Sequence, residues 1–405
     1  MDVNALPKRE SLKKAISLGT LCSVSYLAVY FARNVLGAVT PQMIEHGYTE
    51  AFLGSLSSAY FAFYAIGQLI NGIIGDKIKA KYMMSIGLFM AGVTNLIFLE
   101  ISDTSKLPAL IVYGMMGFFL SMIYAPMTKI VSENVEPLYA TRCSLGYSLA
   151  AFLGSPLAGF SAALMVWHNL FRLSSFCLGT MAVVFFVICS VMEKKGMVKY
   201  GQYKPKAARG GNIKVLIKRN IIKFALVAIV TGTVRTSVVF WLPTYISQHL
   251  GFPSDTAVMI FAIATFAISA TPFISVFIYE RLKRNMHLTM FIMFISAALS
   301  FVAAFLINEP IFNIIFMILA IISSNGADTM MWSRYCPSLY DTGMVSTATG
   351  FLDFISYASA AAANLIFANA VSAIGWGKLI LVWCAMMVFG IIVSIPKKAN
   401  KKDAV

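Results

Sequence analysis

Twelve stretches of about twenty apolar residues constrain this chain more than any other feature. They centre near residues 28, 63, 92, 120, 153, 182, 233, 267, 296, 322, 356 and 386. Each is long enough to cross a bilayer as a helix, which needs roughly 20 residues. The breaks between them are short and polar, or carry Pro and Gly. Only 12% of the 405 residues are charged and 59% are hydrophobic, against about 25% charged in a soluble chain. Most of the chain therefore lies in a medium that cannot hydrate charge. The expected fold is an all-α membrane protein of twelve transmembrane helices. The first apolar stretch is too long for a signal-peptide core and lacks a convincing small-residue cleavage site, so no cleaved leader is expected.

The basic residues orient the spans. A cytoplasmic N-terminus, with sides alternating, puts 27 of the 32 Lys and Arg in or beside cytoplasmic segments. Lys106, Arg172 and Lys378 fall on the other side, and Arg33 and Arg235 inside the membrane. The opposite orientation reverses the excess and violates the positive-inside rule. The net charge of +15 is thus explained by orientation and attraction to anionic lipid, with no nucleic acid partner. The expected location is the cell inner membrane, multi-pass, with both termini cytoplasmic and the chain monomeric. Cys22, Cys143, Cys177, Cys189, Cys336 and Cys384 are scattered and read as small apolar packing residues. His46, His168, His249 and His287 fall at or near loops. With no metal spacing, nucleophile–base pair or nucleotide loop, neither a metal, a cofactor nor an enzyme is expected.

The longest polar stretch, from Glu193 to about Asn220, splits the spans six and six. The expected organisation is a bundle over 1–192, a cytoplasmic linker over 193–220 and a second bundle over 221–405. A weak repeat supports it: Arg33 precedes Pro41 by eight residues, and Arg235 precedes Pro243 by eight, both at an offset of 202. Thr49-Glu50 and Ser254-Asp255, pairs of the N-cap type, follow in each half. Parallel repeats of this kind place a binding site near the bilayer midplane, at the interface of matching helices.

Four formal charges fall inside the spans: Arg33, Arg235, Asp328 and Asp353. A charge at the bilayer centre costs about 2.5–3.5 kcal/mol on insertion scales, so each is a candidate functional residue. Guanidinium is always charged and presents a planar fork that matches carboxylate or phosphate. Two such groups at matching places of two halves form an anion clamp. The alternative is that each pairs with a carboxylate, Asp328 or Asp353, and fixes helix packing. Both aspartates are equally open to proton coupling, to balancing the arginines, or to a structural role.

Polar residues recur at helical spacing around these charges. Tyr26, Tyr30, Arg33 and Gly37 share a face of the first helix. Ser57, Tyr60, Tyr64, Gln68 and Asn71 line the second, and Gly117, Ser121, Tyr124 and Thr128 the fourth. Ser346, Gly350, Asp353, Tyr357 and Asn364 line the eleventh. The glycines read as close-packing positions; the tyrosines and amides read as a wetted wall. After the second helix, Gly72-Ile-Ile-Gly-Asp76-Lys77-Ile-Lys79-Ala-Lys81 sets an acid before spaced bases, and Asp76 with Lys77 is read as a gating loop.

Together these features resemble the major facilitator superfamily. Tyr26, Tyr30-Phe-Ala-Arg33-Asn34 and Pro41 resemble the first helix of the organophosphate:phosphate antiporters, the glycerol-3-phosphate and hexose-phosphate transporters. Val234-Arg235 with Trp241-Leu-Pro243-Thr-Tyr245 resembles their seventh helix, and Ser346-Thr-Ala-Thr-Gly350-Phe351 with Tyr357 their eleventh. The resemblance implies alternating access by two rocking bundles. It also implies phosphate binding by Arg33 and Arg235, supported by Tyr26, Tyr30 and Tyr357, with Tyr64, Gln68 and Tyr124 as further candidates. The chain departs from the family at Gln68 (commonly Lys), at Phe240 (an acid), at Tyr124 (often Trp), and in having no histidine between Cys143 and Phe160. Asp328 and Asp353 are additions. The expected function is a secondary transporter of a small organic anion, most readily a phosphorylated metabolite such as a sugar or glycerol phosphate. A proton-coupled symporter of sugar acids or other carboxylates is the alternative within transport. A substrate sensor signalling to a partner is the alternative outside it.

Overall fold

The computed structural model describes residues 8–75, 78–103, 105–200, 213–339 and 345–395. Asp76 and Lys77 of the expected gating loop, and residues 201–212 of the expected linker, lie outside the described residues.

Among the described residues the chain is helical, with no strand. The spans are α1 (Lys8–Glu45), α2 (Glu50–Gly75), α3 (Ala80–Ile101), α4 (Lys106–Asn134), α5 (Pro137–Leu164) and α6 (Trp167–Lys194). They continue as α7 (Ile221–Gln248), α8 (Ser254–Arg281), α9 (Met286–Leu306) and α10 (Pro310–Tyr335). The last helical run, Val345–Ser394, contains two spans. Gly375 breaks it with φ 76° and ψ 168°, a conformation open to glycine and strained for any residue with a Cβ. The run thus divides into α11 (345–374) and α12 (376–394), and the twelve expected spans are all present. Asn285 and Glu309 cap α9 and α10 by accepting hydrogen bonds from Leu288 N (3.0 Å) and Phe312 N (2.9 Å). Pro41, Pro156 and Pro243 sit inside helices, as membrane helices tolerate when neighbours re-satisfy the freed carbonyls.

Contacts divide the chain into two compact units, 1–47 with 59–207, and 48–58 with 208–405. In the first unit α1 packs along α5, and α3 along α6 and α4. In the second, α7 packs along α11, and α9 along α12 and α10. The same pairing recurs six helices later, which is the internal repeat expressed in packing. Polar side chains tie the helices where apolar lipid offers no hydrophobic drive. Asn95 on α3 donates to Ser174 and Ser175 on α6, each at 2.9 Å. Tyr245 on α7 donates to Asn313 on α10 at 2.6 Å. The opening turns of α2 count with the second unit: Gln248 donates to Glu50 at 2.8 Å and accepts from Trp376 at 3.0 Å.

The outward faces are as apolar as the cores. Leu164, Phe176, Phe273, Phe266 and Ile311 are among many large side chains left exposed. Exposed apolar surface on this scale marks a chain whose surroundings are lipid. The interiors are filled by aromatics, including Trp167, Trp241, Trp383 and Tyr113.

Candidate functional site

In the second unit, α7 carries Thr231 and Arg235 one turn apart, on one face. The helix takes a π-helical turn over Val234–Val238. Such turns widen the helix and recur at functional sites. Here the turn contains Arg235 itself. A second π-helical turn, Met331–Tyr335, ends α10 just after Asp328. The two membrane charges that sequence alone leaves separate are brought together: Arg235 Nη1 lies 3.5 Å from Asp328 Oδ2. Asp328 is fixed at its other oxygen, where Oδ1 accepts from Thr231 Oγ1 at 2.8 Å. Arg235 Nη2 donates to Ser356 Oγ on α11 at 3.2 Å, and its guanidinium lies 5.6 Å from the Tyr357 ring centre. The aspartate side chain is 7% exposed and the arginine 29%, so the carboxylate is sealed in the bundle while the guanidinium keeps an open side.

Gly232 sets this geometry. A Cβ there would collide with Ser356 Oγ and press on the Ser356 carbonyl oxygen. Glycine lets α7 and α11 approach until Ser356 reaches Arg235. Asp353 is half-buried one turn before Tyr357. Asp328 and Asp353 both lie within electrostatic reach of the Cys336 thiol.

In the first unit, Arg33 on α1 is surrounded by aromatic faces. Its guanidinium carbon lies 5.0 Å from the ring centres of Tyr30 and Phe61 and 5.4 Å from that of Tyr64. Cation–π attraction of this kind helps to hold the guanidinium in place. Tyr26 lies against Tyr30 (4.9 Å between ring centres), Tyr124 (5.8 Å) and Tyr147 (6.3 Å). Tyr124 is exposed, Tyr26 and Tyr64 are buried, and Gln68 is half-buried one turn beyond Tyr64.

The structure brings Arg33, Tyr30, Tyr64, Tyr26 and Tyr124 into one cluster of the first unit, and Arg235, Asp328 and Tyr357 into one cluster of the second. Part of the expected wetted wall is instead packing. Asn71 on α2 donates to Ser121 on α4 at 2.7 Å, so these two satisfy one another inside the bundle. Tyr60 is buried with its ring 5.7 Å from that of Tyr113. Sequence reasoning missed Thr231 and Ser356. Both had a readable signal: Thr231 precedes Arg235 by four residues, and Ser356 follows Asp353 by three, each on the face of a residue already singled out. At the end of the first unit's α3, Lys79 and Lys81 pair with Glu193 on α6 at 2.8 and 2.5 Å.

Residues 22–364 match the Major Facilitator Superfamily. The chain belongs to that superfamily. It is a multi-pass membrane protein, and the superfamily fold is also seen in solved structures. The partially occluded, inward-open xylose transporter XylE from E. coli superposes with a TM-score of 0.74 at 12% identity, covering 96% of this chain and 99% of that one. Among curated superfamily relatives, the glycerol-3-phosphate transporter of Bacillus subtilis (strain 168) is 22% identical over 258 residues, 58% of each chain. The membrane sensor protein UhpC of Salmonella typhimurium is 23% identical over 271 residues, 60% of each chain. The chain thus matches about six-tenths of the length of these relatives.

Proposed function

We propose that this superfamily member is a secondary transporter that moves a small organic anion by alternating access. The cargo is a phosphorylated metabolite such as a sugar or glycerol phosphate. Arg33 and Arg235 bind the anionic group, Tyr26, Tyr30, Tyr64, Gln68, Tyr124 and Tyr357 support it, and Asp328 and Asp353 balance charge or carry protons. The protein works as a monomer in the cell inner membrane with cytoplasmic termini.

The observation that carries this reading is the matched treatment of two membrane arginines. Each stands on the corresponding helix of its unit, and each lies against tyrosine: Arg33 against Tyr30 and Tyr64, Arg235 against Tyr357. Guanidinium groups set against aromatic faces within membrane helices suit an oxyanion that accepts from their planar forks. The likeness to a glycerol-3-phosphate transporter supports a phosphate-bearing cargo. The test is uptake by proteoliposomes of a panel of radiolabelled phosphate esters, with sugar acids as controls. Accumulation of one or more esters, and not the sugar acids, is expected.

The two membrane aspartates favour a second reading, proton-coupled symport of a carboxylate. Uptake of a sugar acid driven by an imposed pH gradient, and lost in Asp353→Asn, would establish it. The likeness to UhpC favours a third, a sensor. Substrate binding with a co-purifying partner and no flux would establish that one.

A further inference from the structure

We infer that Asp328 is a built-in counter-anion of Arg235 that lowers the site's preference for doubly over singly charged substrates. This rests on the organophosphate reading and deepens it: the site favours dianionic monoesters, such as sugar or glycerol phosphates, less strongly over monoanionic diesters than an unpaired arginine would. The carboxylate is not loosely placed. Thr231 holds Oδ1 at 2.8 Å, which aims Oδ2 at Arg235 Nη1, 3.5 Å away. Its burial limits screening by water, so its charge is felt by anything that reaches the guanidinium.

Charge counting then decides the preference. Arg235 and Asp328 together sum to zero. Ser356, Thr231 and Tyr357, each against one member of the pair, are neutral. An oxyanion that reaches Arg235 must share the guanidinium with Asp328. Asp328 subtracts from the attraction of Arg235 in proportion to the ligand's charge, so a dianion loses about twice what a monoanion loses. Discrimination by an added repulsive charge is a general device of specific sites.

Two substitutions separate this role from packing. Asp328→Asn keeps an acceptor for Thr231 and removes the charge. Thr231→Val removes the hydrogen bond and keeps the charge. The experiment uses the full chain in proteoliposomes at pH 8 and measures how glycerol 3-phosphate, a dianion, and its methyl diester, a monoanion, compete for uptake. Asp328→Asn is expected to shift the ratio toward the monoester by about tenfold, equal to about 1.4 kcal/mol, and Thr231→Val to shift it far less. An unchanged ratio in Asp328→Asn, or an equal shift in Thr231→Val, overturns the inference. A second arm needs no substrate: phenylglyoxal labelling of Arg235, read by mass spectrometry. A guanidinium freed of its carboxylate loses its proton more readily and should label several-fold faster in Asp328→Asn; equal rates overturn the pairing. Binding of neither ester by the wild type would instead overturn the organophosphate reading, and the labelling arm would still decide whether Asp328 guards Arg235.

Discussion

Arg235 on α7 lies 3.5 Å from the carboxylate of Asp328 on α10, so two opposite charges within the spans of the second unit are partners. Neither can be removed without leaving the other in a poorly solvating interior. Removing one partner of a buried pair costs about 3–5 kcal/mol. Arg235 keeps an open side, which lowers that figure. Asp328→Ala is therefore expected to destabilise the protein by about 3 kcal/mol, and Asp328→Asn by less, since it preserves the Thr231 hydrogen bond. Thermal unfolding in detergent checks this. Equal melting temperatures for Asp328→Ala and the wild type would mean that the pair contributes nothing to the fold.

The approach of α7 to α11 depends on Gly232. Gly232→Val should force the helices apart, with an overpacking cost of about 1–3 kcal/mol. It should also break the contact between Ser356 and Arg235. A lowered melting temperature and reduced uptake are expected together, while Ser356→Ala should reduce uptake with a smaller loss of stability. Wild-type behaviour of Gly232→Val would contradict the close packing.

Around Arg33 the rings carry the interaction. Tyr64→Phe keeps the aromatic face and should leave apparent substrate affinity within about twofold. Tyr64→Leu removes a cation–π contact worth about 1–2 kcal/mol and should weaken affinity by roughly tenfold. Competition assays on the two variants distinguish them. A large loss in Tyr64→Phe would instead assign the role to the hydroxyl.

The Lys79–Glu193–Lys81 cluster lies at the ends of α3 and α6, with Lys79 half-exposed and Glu193 a quarter exposed. Exposed pairs contribute little after screening. Glu193→Gln is expected to lower stability by less than about 1 kcal/mol, an effect that shrinks further in 0.5 M salt. A larger loss insensitive to salt would show that the cluster is a buried structural tie.

Much of the fold was legible because membrane spans declare themselves by length and apolarity. The twelve segments and their helical form follow from that alone. The boundary between α11 and α12 is subtler: it rests on Gly375 inside one continuous helical run. The charges inside the spans were legible for the same reason, since each is costly there. What sequence could not supply was which charge meets which. Arg235 lies 93 positions from Asp328 and 118 from Asp353, and helical spacing says which residues share a face without saying which helix that face meets. Asp328 meets Arg235 because α10 lies against α7. The same limit explains Asn71 and Ser121. Their spacing matches a polar wall, yet two polar groups on facing helices pair with each other.

In the proposed transport, Arg33 and Arg235 bind the anion through their planar forks. Uptake of a transported phosphate ester by proteoliposomes bearing Arg33→Lys or Arg235→Lys tests it most directly. Lysine keeps the positive charge and loses the bidentate geometry. Uptake is expected to fall by at least about a hundredfold in each variant, with the protein still folded by thermal unfolding. Wild-type uptake in either variant would contradict the claim.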